Sequence, residues 1–468
     1  MERSLPQPAA ELNRFLSELD KVILGRAIEW AKKCYKTALE ALDEAIAACR
    51  GKELSIEHRR AVWYQTCLGP VKVRRRQYRD GRGRYRYLLD ELMGMGKHQH
   101  ITVAVQGLAL ETAAVMPYRR SAEVLRKASA IDLPHQTIWR LVGRVAKPYL
   151  EKAQQELERF LQTGEIPEGE GREVAQLMVE ADGVMLSLQR EKARKAEVKL
   201  GIAYEGWEKV SKDRYRTVNK TAFAAVGDGD AFWAGMSLKL QGKYDLSRVG
   251  ATIVGGDGAS WVKEGARYVN GRFQLDRYHL HRELTTALGK DRETKAKVWD
   301  ACERGEVETG LQVMADAMRR VKGEQAERMV RAYNYLLDNS SGLGDYRLAL
   351  KDQGKGLRRT GAIEGNGDKL VARRMKNQGM SWSVKGIRSL LCVRFLVLEG
   401  KLTAFLLDRQ RREASVTVPR RKIRAIVRRS LIRDPGERLH AELPALRGPH
   451  ASRPWATVLK AISQGEAL

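Results

Sequence analysis

Residues 176–189 read QLMVEADGVMLSLQ, an apolar stretch with an aspartate and a glycine at its middle. This composition predicts a buried strand, in which a carboxylate is costly unless something pairs with it. Asp182 is therefore a candidate for chemistry. The next apolar stretch, residues 196–204, carries apolar side chains at alternate positions. We therefore expect the two stretches to pair as a long antiparallel hairpin with Asp182 near its centre.

The composition is that of a folded, basic protein. The 468 residues include 85 Lys plus Arg against 58 Asp plus Glu, a formal net charge of +27, and 43% of them are hydrophobic. This length allows about three domains, and the charge favours polyanions, nucleic acid first. No apolar stretch approaches the roughly 18 residues of a membrane span, so no membrane partner is expected. The five cysteines are widely spaced, which favours neither disulfides nor a zinc site and fits a reducing cytoplasm.

The first hundred residues predict a helical region and a basic hairpin. In the N-terminal helical region, residues 1–60, apolar side chains recur at helical spacing from about residue 10 to residue 49, typical of one long helix or a helical pair that serves core packing or oligomerisation. In residues 61–100, strand-like runs flank a turn at 79–83. Arginines alternate there with tyrosines, which suits phosphate contacts, although an edge strand protected by charge has the same pattern. The candidate DNA contacts in this region are Arg74, Arg75, Arg76 and Arg84.

Residues 101–163 have helical segments at the spacing of a helix-turn-helix domain. A helix over 101–115 ends near a proline, Ser121 can cap a second helix, and a third covers 135 to about 147, before a charged helix over 149–163. Ordinary helical bundles share this spacing. In a helix-turn-helix, the third helix would present to DNA the side chains of Gln136, Thr137, Arg140 and Arg144.

Two further acids stand out downstream. Asp257 directly follows a short apolar strand, residues 251–254, and lies among glycines that let a ligand approach the backbone. Glu364 opens a helix whose basic face carries Arg374 and Lys376. Three carboxylates suit two Mg²⁺ ions, because hard cations take oxygen ligands and two of them can promote in-line attack on a phosphodiester. Among 58 acidic residues, spacing alone decides little.

Short sequence motifs that occur in a fixed order strengthen this interpretation. They are Arg75-Arg76-Gln77-Tyr78, Tyr87-Leu88-Leu89-Asp90-Glu91, Glu180-Ala181-Asp182-Gly183, Gly256-Asp257-Gly258-Ala259-Ser260-Trp261, Asp276-Arg277-Tyr278-His279, Ile363-Glu364-Gly365, Arg374-Met375-Lys376 and Met380-Ser381-Trp382-Ser383. With these motifs the chain resembles the DDE-type insertion-sequence transposases of the ISLre family, which are related to the Mutator-like group. The likeness covers roughly residues 71–386.

The resemblance implies an α/β multidomain protein with an RNase H-like catalytic domain at residues 172–395, interrupted by a helical insertion at about 283–355. The helical region, the basic β-hairpin and the helix-turn-helix-like DNA-binding part precede that domain. A basic C-terminal helical region, residues 396–468, follows it, and its arginines suit either phosphate binding or a solvated tail. Two tryptophans in the motifs, Trp261 and Trp382, are expected in the core.

The resemblance also implies a catalytic site. Asp182, Asp257 and Glu364 would bind two Mg²⁺ or Mn²⁺ ions. Asp276 and His279 would lie beside the site without binding metal, the alternative being a packed histidine bonded to Asp276.

The implied function is that of a bacterial DNA transposase, cytoplasmic and associated with the nucleoid. It would bind double-stranded DNA, both the terminal repeats of its element and the target, and act as a homo-oligomer because two ends must be brought together. Its reaction would be metal-dependent phosphodiester hydrolysis and strand transfer. Two other classes fit the same residues: a catalytically silent DNA-binding regulator, and an RNase H-like nuclease without strand transfer.

Overall fold

The computed structural model describes residues 7–95, 100–166, 168–212, 214–350, 357–377, 379–413 and 418–432. The chain is an α/β protein with two compact units, as the predicted class requires. One unit comprises Met1–Ala109, Tyr118–Ile138 and Lys401–Leu468, and the other comprises Leu110–Pro117 and Trp139–Gly400. The division into five regions along the sequence remains a prediction. Parts of four of those regions lie outside the described residues: 1–6, 96–99, 213, 351–356, 378, 414–417 and 433–468.

A long helix and a hairpin form the first part of the chain. Helix α1 (Gln7–Cys49) precedes the antiparallel strands β1 (Ser55–Thr66) and β2 (Gly69–Arg79), the two-residue β3 (Tyr85–Arg86) and the short α2 (Leu88–Leu92). Of the two predicted forms, one long helix and a helical pair, the structure has the single long helix. The N-terminal region that was expected to be helical to residue 60 also contains the start of β1, which begins at residue 55. The first seven residues of β1 are all exposed, so they lack the apolar alternation that marks a strand.

Three helices follow, α3 (Val103–Val115), α4 (Tyr118–Ala128) and α5 (His135–Thr163). The two helices predicted for 135–147 and 149–163 are one helix of 29 residues, with Pro148 inside it. Ser121, predicted as a cap, lies buried within α4, which begins directly after Pro117. The predicted boundary was wrong because a proline can itself precede a helix start, where the missing N–H has no helical partner anyway.

A five-stranded mixed sheet is the centre of the second unit. Its elements in chain order are β4 (Gln176–Ser187), β5 (Lys195–Tyr204), the separate hairpin β6 (Trp207–Ser211) and β7 (Arg214–Thr217), β8 (Thr221–Val226), α6 (Gly229–Gln241), β9 (Ala251–Gly256), α7 (Ser260–Tyr268) and β10 (Arg272–Leu275). The strand order is β10-β9-β4-β5-β8. β5 runs antiparallel to both of its neighbours, whereas β9 and β10 are parallel to β4. The predicted hairpin is confirmed, with Asp182 opposite Leu200.

The two faces of the sheet have different environments. Leu177, Val179 and Ala181 of β4 pack in one apolar core with side chains from α6 and α7. Because side chains alternate along a strand, Glu180 and Asp182 point to the opposite face. On that side the chain places helices that follow much later in the sequence and that contact β4, β5 and β8.

A helical insertion separates β10 from those late helices. It consists of α8 (Arg277–Leu288), α9 (Arg292–Arg304), α10 (Val307–Met318), α11 (Glu324–Asp338) and the short α12 (Tyr346–Ala349), with a core of its own. Asp291 caps α9 by accepting a hydrogen bond from the Thr294 N–H. Gly323 precedes α11 with a φ of 64°, a conformation that glycine takes without strain.

The last helices are α13 (Ala362–Gly367), α14 (Arg373–Met375), α15 (Val384–Leu398), α16 (Leu402–Glu413) and α17 (Arg420–Ile432), with a π-helical stretch at Asp368–Ala372. The apolar run over residues 384–406 is divided between α15 and α16 at Gly400, which has a φ of 67°. Trp382 is buried and donates its indole N–H to the Met375 carbonyl, as expected for a core residue. All five cysteines are free thiols. In the described parts of the chain, every helix is too short or too polar to cross a bilayer.

Candidate active site

Three aspartates lie at the same level of three adjacent parallel strands. Gly256 of β9 pairs with Ala181 of β4 and with Leu275 of β10. Each of these residues is followed directly by an aspartate, and the three are Asp182, Asp257 and Asp276. The Asp276 N–H donates to the Gly256 carbonyl at 2.8 Å, which extends the ladder beyond β10. Neighbouring strands lie about 4.8 Å apart, so the three carboxylates originate from adjacent backbone positions.

Asp182 is the acid most affected by its neighbours. Burial raises the pKa of its carboxyl, a hydrogen bond from the Gly183 N–H lowers it, and the negative charges of Asp257 and Glu364 raise it further. The imidazole of His279 acts in the opposite direction. The structure therefore brings the three predicted acids within electrostatic range of one another. In the chain as described, no three His, Cys, Asp or Glu side chains are gathered around a common point as metal ligands.

Glu364 reaches this edge of the sheet on the first turn of α13, and its side chain is exposed. The start of the helix is bonded to β4: the N–H groups of Gly361 and Ile363 both donate to Glu180 Oε2 at 2.9 Å. Gly361 has a φ of 132°, and a Cβ at this position would lie 3.6 Å from Asp276 Oδ2. The segment that carries the third acid thus lies against two of the strands that carry the other acids.

The loop after β9 is fixed at both of its sides. Asp257 Oδ1 accepts a hydrogen bond from the Ala259 N–H at 3.0 Å, and the Tyr335 hydroxyl donates to the Asp257 carbonyl at 2.8 Å. Gly258 has a φ of 89°, and a Cβ there would collide with the side chain of Asn339. Only glycine therefore fits this turn, which presents the Asp257 carboxylate beside Asp182.

Asp276 and His279 lie near the same edge. Asp276 is buried and caps α8, since its Oδ1 accepts from the Tyr278 N–H at 2.6 Å. Burial raises the pKa of the Asp276 carboxyl, while the Tyr278 hydrogen bond and the His279 imidazole lower it. His279 lies on the first turn of α8, half-buried, with its ring edge-on to Tyr278. The His279 imidazole lowers the pKa of both the Asp182 and the Asp276 carboxyls, so it lies close enough to act on each.

The arginines of β2 have two different environments. Arg75 Nε donates to Asp90 at 2.7 Å beneath the ring of Tyr87, and Arg76 pairs with Asp43 and Glu44 at 2.6 and 2.7 Å. Both arginines are buried. Arg74 and Arg84 are exposed, the latter with an ion pair to Asp80. The structure therefore leaves two of the four arginines predicted for DNA contact on the surface and engages the other two inside the unit.

The predicted recognition helix has the expected division of its faces. Ile138, Leu141, Val142 and Val145 are buried, whereas Gln136, Arg140 and Arg144 are exposed and Thr137 is half-buried. Lys376, which directly follows α14, is exposed as well. Arg374 is buried instead, where its Nε donates to the Ala113 carbonyl at 2.8 Å and its guanidinium faces the Trp382 ring. Arg374 is thus a structural residue. For the predicted contact with DNA, its side chain would have to leave this buried position.

Sequence reasoning missed several residues that organise this edge of the sheet. Glu180, Tyr204, Tyr335 and Gly361 all make the contacts described above or below, yet none was given a role. Glu180 had a detectable signal, because it lies two positions before Asp182 and so shares its face of a buried strand. The tyrosines had none, since their partners lie far away in the sequence.

Comparisons with known proteins place the chain among relatives of similar length. A UPF0236 protein of Caldanaerobacter subterraneus subsp. tengcongensis, whose name joins eleven locus designations, is 25% identical over 390 residues, which cover 81% of this chain and 78% of that protein. A second protein of that organism is 26% identical over 390 residues, with the same coverage. A UPF0236 protein in the vanSb 3′ region of Streptococcus gallolyticus is 25% identical over 393 residues, 81% of this chain and 82% of that protein.

A sequence profile described as "Uncharacterised protein family (UPF0236)" matches residues 12–407. This match includes the whole sheet, all three predicted acids and the helical insertion. The chain therefore belongs to the UPF0236 family.

Proposed function

We propose that this protein is a DDE-type DNA transposase. It binds the ends of its element and, with divalent metal, catalyses phosphodiester hydrolysis and strand transfer. The observation that carries the proposal is the register of β4, β9 and β10. It brings Asp182 and Asp257 to adjacent positions at one edge of the sheet, where the start of the Glu364 helix is bonded to β4.

The topology supports an RNase H-like assignment for the domain around this sheet. Such a domain needs a central first strand that carries an acid, an antiparallel meander on one side of it, and parallel strands on the other. β4 is that central strand, β5 and β8 form the meander, and β9 and β10 are the parallel additions. The insertion of four long helices lies between the second and third acids, in the position that the resemblance implies.

The chemistry of the donor set fits Mg²⁺ or Mn²⁺. Asp182, Asp257 and Glu364 would hold the metal, because they offer carboxylate oxygens and the negative charges of Asp257 and Glu364 both act on Asp182. When bound, such ions lower the pKa of an attacking water or hydroxyl and stabilise the leaving oxygen. The other residues of the site hold the acids and the histidine in position. Tyr335 fixes the Asp257 loop, and the Asp276 cap holds His279 beside the acids.

Cationic side chains near the Glu364 helix support a polyanionic substrate. Lys220 is exposed and its Nζ donates to Asn366 Oδ1 at 2.7 Å. Although the residue as a whole is exposed, partial burial of its ammonium group lowers the pKa of that group. The positive charge of Lys369 lowers this pKa further. Two like charges held side by side at a helix that bears a predicted catalytic acid suit a phosphate of the DNA backbone. The net charge of +27 acts in the same direction.

The names of the relatives also support a mobile element. One name joins eleven locus designations from a single organism. A protein encoded at many places in one genome is what a self-copying element would produce.

The test uses the full chain, Mg²⁺, and a DNA substrate that carries the sequences flanking the coding region on both sides. We expect strand cleavage at the ends and joining to a supercoiled target. Asp182→Asn should abolish both while leaving DNA binding intact, and Asp300→Asn, an exposed aspartate on α9, is the matched control. Binding without cleavage in any divalent metal would identify a regulator. Cleavage without joining would identify a nuclease.

A further inference from the structure

We propose that Glu180 is a positioning residue, which fixes the helix that carries Glu364 and does not itself bind metal. The inference rests on the proposed function for its catalytic consequence, but its structural part stands alone. Glu180 lies two residues before Asp182 on the same face of β4, so its carboxylate could be mistaken for a fourth acid of the metal site.

Both carboxylate oxygens of Glu180 are occupied by donors of the protein. Its side chain is 0% exposed. Oε2 accepts the N–H groups of Gly361 and Ile363, and Oε1 accepts the hydroxyl of Tyr204 on the neighbouring strand. Three of the roughly four lone-pair sites of this carboxylate are thus taken by donors of the protein, on a side chain that has no exposed surface.

These hydrogen bonds replace a cap that α13 lacks. The first N–H groups of any helix have no partner within the helix and are normally bonded by the side chain at the N-cap. In α13 the N-cap is Gly361, which has no side chain to offer. Glu180 supplies the missing acceptor from β4, some 180 residues earlier in the chain.

The backbone around Glu180 is adapted to this contact. Gly255 of β9 lies beside Glu180 in the register, and a Cβ there would come within 3.2 Å of Glu180 Cγ and 3.0 Å of Thr360 Cγ2. Glycine at this position lets the segment before α13 approach the sheet. The side chain of Glu364 is exposed, so its location depends on how firmly the first turn of its helix is held.

This role predicts that shape matters at position 180 and that charge does not. In Glu180→Gln the amide oxygen can accept both backbone N–H groups, and the amide nitrogen can donate to the Tyr204 hydroxyl. Glu180→Ala removes the acceptor and leaves the N–H groups of Gly361 and Ile363, the second of them buried, without this partner. A metal ligand would behave in the opposite way, because an amide is a poor substitute for a carboxylate in a Mg²⁺ site.

The experiment combines hydrogen exchange at the Gly361 and Ile363 amides with DNA cleavage in Mg²⁺, on the full chain. Glu180→Gln should keep both the amide protection and the cleavage rate within about threefold of wild type. Glu180→Ala should speed exchange of the two amides roughly tenfold or more and lower kcat by a similar factor, with KM for DNA unchanged. Asp182→Asn should keep the protection and lose cleavage.

Two results would overturn the proposal. One is loss of cleavage in Glu180→Gln with the amides still protected, which would make Glu180 a functional carboxylate. The other is unchanged protection in Glu180→Ala. Should the alanine variant fail to fold, Glu180→Leu tests the same point, since its side chain fills the space but offers no acceptor, and exchange of the two amides should again be faster. Absence of cleavage in the wild-type chain would contradict the transposase proposal, while the exchange results would still decide the role of Glu180.

Discussion

Replacing Asp43 by alanine should destabilise the β1–β2 hairpin strongly, because it breaks a buried ion pair and leaves one charge behind. Asp43 Oδ2 lies 2.6 Å from Arg76 Nη1, and the two side chains are 2% and 8% exposed. Asp43 Oδ1 also accepts the Arg76 backbone N–H at 3.1 Å. The variant therefore loses two hydrogen bonds and leaves a guanidinium in a site that water hardly reaches.

Removing one partner of a buried pair costs about 3–5 kcal/mol, and we expect the lower end here. The reason is that Arg76 keeps a second partner, Glu44, at 2.7 Å. Glu44 is 65% exposed, so its own replacement by alanine should cost no more than about 1 kcal/mol. Glu44→Ala is thus the matched control. It also removes a carboxylate partner of Arg76, but one that is exposed to water and not buried in the core.

Hydrogen exchange of the β1 and β2 amides measures the cost locally, which is needed because a chain of two units cannot be assumed to unfold in one step. Asp43→Ala should lower the free energy of opening of these amides by about 3 kcal/mol, and Glu44→Ala should barely change it. Equal effects of the two substitutions would refute the reasoning. A decrease in the free energy of opening of less than about 0.5 kcal/mol for Asp43→Ala would also refute the reasoning. Asp43 would then not hold Arg76 in the interior, and Arg76 would be available to contact DNA.

Three further predictions concern the candidate site. Lys220→Ala with Lys369→Ala should weaken DNA binding and reduce the slope of log affinity against log salt by about 1.8; an unchanged slope would show that neither lysine meets a phosphate. Asp276→Ala should cost about 1 kcal/mol in α8 through loss of the Tyr278 cap, whereas Asp276→Asn should not, and hydrogen exchange in α8 distinguishes the two. Without metal, Asp182→Asn should have a higher Tm than wild type because the substitution relieves repulsion between carboxylates. Mg²⁺ should raise the Tm of the wild-type chain only. A rise in the Tm of both chains would place the metal elsewhere.

Much of the local structure followed from pattern. The β4–β5 hairpin, the helix α3 and the strand β9 were predictable because apolar periodicity is a local signal. The errors fell where the local signal was absent or ambiguous. β1 has an exposed first half, Pro148 lies inside a continuous helix, and Gly400 divides an otherwise apolar run.

The candidate site was predictable only in part, for a similar reason. Asp182 was conspicuous as an acid in an apolar strand, and Asp257 as an acid after one. Arginine density, in contrast, did not distinguish surface from interior, because Arg75 and Arg76 find buried carboxylates on other elements. A run of charge specifies no partner until the chain has folded.

The sequence by itself determined that this protein is basic, that it is α/β, and which three acids stand apart, since these properties depend on composition and on residues near in the chain. Only the tertiary structure decided that Asp182, Asp257 and Asp276 share one level of the sheet, because strand register is set by pairing between distant segments. It also decided that Glu180 bonds the start of the Glu364 helix. A hydrogen bond between residues so far apart in sequence leaves no local pattern, and it exists only once the sheet and the last helices have come together.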